Sequence, residues 1–136
     1  MKVTIDEYPA ESQVQIDPWD TWNMDHTLAE IALPMLIQLK ATKHGAPYVD
    51  DSDVPEELQS TSAPPKENEW DTDENHFKRW DWVMDEMIYS FNSKANDDFE
   101  IEKFDFETQR KEFIAAQNRV ANGFRLFGKY YESLWD

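Results

Sequence analysis

The sequence predicts a mainly α fold: three principal helices, a small N-terminal β hairpin or arm, and a long ordered loop. Three observations carry this. Apolar residues recur at three- and four-residue steps in three separate stretches. A proline-punctuated run separates the first of these from the second. Short alternating runs precede them all. At 136 residues, one domain spanning residues 1–136 is the natural partition, and a chain of this length can bury a core without staples.

In chain order, Val3 with Ile5 and Val14 with Ile16 alternate about Pro9 and Ala10, which suits two short strands or an arm lying across the helices. Residues 17–25 form a turn-rich helix entry, and Trp19 and Trp22 are expected to anchor it to the core. Thr27 and Glu30 have capping-box spacing, with Asp25 as a competing cap. The first helix then runs to about Lys43 on a stripe of Leu28, Ile31, Ala32, Met35, Leu36 and Leu39. Pro34 should bend or restart it, because its ring displaces a backbone hydrogen bond. Lys40 and Lys43 suit the negative helix end, and Gly45 suits the stop.

Residues 46–66 read as loop, marked by Pro47, Pro55, Pro64 and Pro65, with one helical turn over 54–58 capped by Asp53. The central helix is expected from about Asp73 to Ser93, with Phe77, Trp80, Met84, Met87, Ile88 and Phe91 on its apolar face. Trp82 lies about 200° around the axis from Trp80. Both cannot bury against one surface, so one of them covers a loop, lines a pocket or meets another chain. The last helix is expected over 106–135. Phe106, Phe113, Val120, Phe127 and Leu134 fall at sevens, as do Ala116, Gly123 and Tyr130. Such a heptad packs lengthwise on another helix, of this chain or of a second copy, so a homo-oligomer is expected. Gly123 and Gly128 weaken a helix by roughly 1 kcal/mol each relative to alanine; close helix approach or a kink would explain them.

The formal charge is −16, with acid concentrated between Gly45 and Glu102. That field repels nucleic acid and anionic membranes; it attracts a basic protein or simply aids solubility. There are no cysteines, which excludes a disulfide scaffold and thiolate metal sites. The N-terminus lacks the apolar run of a signal peptide, and the apolar stretch at residues 28–39 is too short to span a bilayer.

Catalytic signatures are absent. Three glycines leave no phosphate-binding loop, and no Ser-His-Asp spacing is present. Asp50, Asp51 and Asp53 begin like a calcium loop, but the glycine and closing glutamate do not follow. His26, His44 and His76 are scattered, so capping residues and a solvated acidic loop explain them more simply than a metal site. No cofactor and no metal are expected. The groups best suited to recognition flank the long loop. Lys43, His44, His76, Lys78 and Arg79 could meet phosphates, and Trp70 or Trp82 could stack on a planar ring. Core packing is the competing use of the tryptophans.

Residues 20–58 (DTWNMDHTLAEIALPMLIQLKATKHGAPYVDDSDVPEEL), 60–91 (STSAPPKENEWDTDENHFKRWDWVMDEMIYSF) and 118–136 (NRVANGFRLFGKYYESLWD) resemble a family of small uncharacterised bacteriophage proteins. The resemblance runs from about residue 17 to residue 136. It implies a phage product made in the host cytoplasm and carries over no catalytic residues. By class analogy, the expected function is that of a non-enzymatic accessory, counter-defence protein that sequesters a small nucleotide-like host signal. The alternative is an acidic interaction factor that binds and inhibits a host protein, in the manner of a nucleic-acid mimic. A metal-dependent hydrolase using His26, His44 and His76 ranks below both.

Overall fold

In the computed structural model, which describes residues 4–5, 14–96 and 108–136, strand β1 (Thr4–Ile5) pairs antiparallel with β2 (Val14–Gln15). Thr4 lies opposite Gln15 and Ile5 opposite Val14. The turn expected at Pro9 and Ala10 falls outside the described residues. Helices α1 (Pro18–Trp22), α2 (Met24–Thr42), α3 (His76–Asn96) and α4 (Thr108–Lys129) follow, so the mainly α architecture with three long helices is the one the periodicities require.

Helical structure begins earlier than the Asp25 or Thr27 cap implies. Asp17 accepts the Trp19 backbone N–H at 3.0 Å, and the Asp20 carboxylate accepts the Asp17 N–H at 2.9 Å. This closes a capping box with Pro18 in the first turn. Asn23 separates α1 from α2. Thr27 is therefore buried inside a helix, and Glu30 turns to His26 at 2.9 Å instead of capping. Trp19 and Trp22 are not core anchors. They are 73% and 80% exposed and meet each other edge-on at 5.9 Å, because the short α1 turns Asp20 inward rather than its tryptophans. Helix α2 continues through Pro34 without restarting; burial of Ala29 and Leu36 offsets the one displaced hydrogen bond.

Helix α3 is the central element, with α2 packed on one side and α4 on the other. Val83, Met84 and Met87 are fully buried along it, joined by Trp80 and Phe91, then by Leu126 and Tyr130 of the C-terminal stretch. Each such side chain contributes roughly 1.5–3 kcal/mol on leaving water. Phe77, assigned to this face, is half exposed in the first turn of α3, edge-on to His76 at 5.3 Å. The acids of α3 do not pair along their own helix with Lys78. Asp81 reaches Lys43 at 2.5 Å and Asp85 reaches Lys40 at 2.8 Å, tying α3 to α2.

Around Val120 and Gly123 the heptad of α4 packs on α3. Ser90 donates through Oγ to the Val120 carbonyl at 2.7 Å. A methyl group at Gly123 would overlap Ser90 Oγ and the Glu86 carbonyl, so Gly123 is present for close approach. Gly128 faces open space. Arg119 pairs with Glu86 at 2.7 Å and lies 3.7 Å from the centre of the Tyr89 ring. Helix α4 ends at Lys129, short of the expected Trp135, and a 3-10 turn over Tyr131–Ser133 follows. The loop between α2 and α3 carries three 3-10 turns, Asp51–Asp53, Glu56–Leu58 and Ser60–Ser62.

Candidate functional site

The loop is strapped to the bundle by buried charge. Asp53 is almost wholly enclosed. It accepts from Arg125 Nη2 at 2.9 Å, Lys129 Nζ at 2.6 Å and Tyr130 Oη at 2.6 Å, while the Tyr130 hydroxyl accepts the Asp50 N–H at 3.0 Å. Burial would raise the pKa of Asp53, but the hydrogen bonds from Lys129, Tyr130 and Arg125 outweigh it and hold the carboxyl below its ordinary value. Burial and donation to Asp53 push the Tyr130 phenol up to about 12. Asp53 therefore clamps the loop to α4 rather than capping a helical turn.

A second clamp lies at the start of α3. Arg79, only 2% exposed, makes two parallel bonds of 2.7 Å to Asp73 and donates to the Leu58 carbonyl at 3.2 Å. The hydrogen bonds from Arg79 lower the Asp73 pKa to about 2 against an opposing burial effect. Asn75 donates to the Gln59 carbonyl at 3.2 Å, and His76 donates from Nε2 to the Ala46 carbonyl at 3.0 Å.

These contacts decide where the residues singled out for phosphate and ring recognition stand. Arg79 is enclosed with Asp73, Lys43 is paired with Asp81, and His44 binds Asp136 through both its backbone N–H and Nδ1 at 2.8 Å. His76 is used by the Ala46 carbonyl. Lys78 is exposed. Trp70 is 82% exposed, whereas Trp82 packs half-buried against the core. Trp80 is buried edge-on to Tyr130 at 5.9 Å. The His76 ring meets the chain two residues after His44, at Ala46, but the set does not converge on one pocket. His26 lies at the far end of α2, beside the Lys94 carbonyl at 3.2 Å. Among the described residues no three His, Asp or Glu side chains gather as a metal set, and no helix is long and apolar enough to cross a membrane.

Of the concavities among the described residues, one between α2 and α3 is lined by the Lys40–Asp85 and Lys43–Asp81 pairs, and two others are more apolar. A cleft of about 300 Å³ beside His44 is walled by Gly45, Ala46, Pro47, Trp80, Ser133 and Trp135, with Asp136 at its edge. A larger groove of about 710 Å³ lies between α2 and the C-terminal stretch. One wall is the α2 stripe of Leu28, Ile31, Met35 and Leu39, with Ala32 and Leu36. The other is Phe127, Tyr131, Leu134 and Trp135, and Phe91 contributes from α3. Among the described residues lining it, Glu132 is the only carboxylate. The stripe was legible as the apolar face of the first helix. Its exposure was not, because periodicity shows which residues share a face and not whether another element covers it.

No known protein family, curated protein or solved structure matches the chain.

Proposed function

We propose that the protein acts by binding rather than catalysis, as an acidic interaction factor that engages a basic host protein. The observation that carries this is the division of labour between charge and apolar surface. Lys43, Arg79 and Lys129, which border the long loop, are taken up by the chain's own carboxylates and carbonyls, leaving excess acid outside. Large apolar side chains (Trp19, Trp22, Leu28, Met35, Tyr131 and Trp135) stand in solvent. Exposed apolar surface of this kind marks interaction sites, and a net charge of −16 steers a basic partner toward it. With the resemblance to small bacteriophage proteins, the partner is a bacterial host protein and the role is accessory or counter-defence. Packing of the α4 heptad on α3 at Val120 and Gly123 supports reading the chain as a binding monomer.

The test is capture from bacterial lysate on immobilised protein, with elution in steps of salt. A basic protein retained at about 50 mM salt and released as screening grows is the expected result. Recovery of nothing at low salt overturns the reading.

A second reading, capture of a small nucleotide-like signal, is favoured by the cleft beside His44, where Trp135 offers a ring to stack on. Native mass spectrometry with a panel of cyclic nucleotides tests it. A mass excess of one ligand that Trp135→Ala abolishes supports it, and no adduct across the panel removes it.

A further inference from the structure

We infer that the groove between α2 and the C-terminal stretch receives a short basic amphipathic helix of the partner, an inference that rests on the interaction reading above and names the surface that serves it. The shape comes first. Leu28, Ile31, Met35 and Leu39 lie on one face at three- and four-residue steps, and the eleven-residue rise from Leu28 to Leu39 is about 16 Å. That length faces three turns of a second helix, whose own residues at i, i+3, i+4 and i+7 would fill the trough. Among the described residues, helix α3 supplies only Phe91 to this groove. Among the described residues this side of α2 is therefore left uncovered, with Leu28 and Met35 standing in solvent.

Charge selects the occupant. Glu132 is exposed, lines the groove and has no hydrogen-bond or ion-pair partner among the described residues. No Lys, Arg or His lines the walls. A second copy would bring another net charge of −16 against the first. A fatty acid would set its carboxylate in the same negative field. A helix with leucine-like residues on one face and lysine or arginine on the others satisfies both the trough and its rim.

The experiment uses the full chain and three synthetic peptides of about fourteen residues, a length of about four turns. The first has leucines at helical steps on a lysine background. The second is a scramble of the first, and the third replaces each lysine with glutamate. Isothermal titration calorimetry is expected to show the first binding at least tenfold more tightly than either of the others. Met35→Glu is the decisive variant. Met35 is 66% exposed, so the change leaves the fold intact by circular dichroism, and it adds a negative charge. Attraction by the field alone predicts equal or tighter binding of the basic peptide; docking in the groove predicts binding at least tenfold weaker. Glu132→Lys is expected to weaken it several-fold.

Equal binding of the scramble, or unchanged binding to Met35→Glu, overturns the groove assignment. So does a dimer by sedimentation that Met35→Glu dissociates, which would give the groove to a second copy. Either failure leaves the interaction reading standing if salt-sensitive capture of a basic host protein succeeds. Failure of that capture removes the reading itself.

Discussion

Around the 46–75 loop the inward-facing charges are matched by partners of the same chain, whereas along the groove beside α2 apolar side chains stand in the open. Asp53 gathers Arg125, Lys129 and Tyr130; Asp73 takes both terminal nitrogens of Arg79. Met35 and Trp135, on the groove side, face solvent. Fixed polar pairs are used up in holding the chain to itself and leave little for a ligand. Apolar surface left uncovered contributes nothing to folding and becomes useful only when something else covers it. The contrast separates the residues that define the fold from those free to serve a partner.

Substitutions on the two sides should diverge accordingly. Arg79→Ala has the largest expected effect. It strands Asp73 and the Leu58 carbonyl in a poorly hydrated site and should lower unfolding free energy by about 3–5 kcal/mol in urea. Loss under about 1 kcal/mol would mean that the loop clamp is dispensable. Gly123→Val comes next, since its side chain must displace Glu86 backbone; about 2–3 kcal/mol should be lost. Gly128→Ala, in open space, should instead gain up to about 1 kcal/mol.

Acid sharpens the comparison further. Asp73 is held at a pKa of about 2 by its bonds from Arg79, below the ordinary carboxylate value, so its stabilising effect is present above pH 4 and fades as pH falls toward 2. The stability difference between the protein and Asp73→Asn should therefore shrink by about 2 kcal/mol over that window; a difference that stays constant would break the assignment. The smallest effect belongs to the groove, where Met35→Glu should change the melting free energy by no more than about 0.5 kcal/mol.

How much of this was legible in the sequence depended on the length scale of each signal. The stripes of α2 and α3 and the heptad of α4 are local periodicities, and they placed three helices and offered close approach as one of two reasons for Gly123. Asp53 and Tyr130 are 77 positions apart, and no spacing rule joins them, so the strap was invisible. Arg79 and Lys43 read as phosphate ligands because their residue types suit phosphate; their carboxylate partners are set by tertiary packing. Trp19 and Trp22 read as anchors because tryptophan usually buries. The inward turn of Asp20 follows from the Asp17 capping box, a signal present in the sequence as Asp17-Pro18-x-Asp20, with which the Thr27–Glu30 spacing competes.

The two clamps also fix where the gene can change. Between the Ser60 and Ser62 bonds to Asp51 and Glu56 and the Asp73 clamp, the described hydrogen bonds of residues 64–72 run only among Lys66, Asn68, Glu69 and Asp71. A detour that begins and ends at fixed anchors can lengthen cheaply, about 0.6 kcal/mol for each doubling. Insertions, and the drift of lineages under selection, should accumulate there, and a peptide tag or fluorophore placed near Glu67 should leave both the bundle and the groove intact.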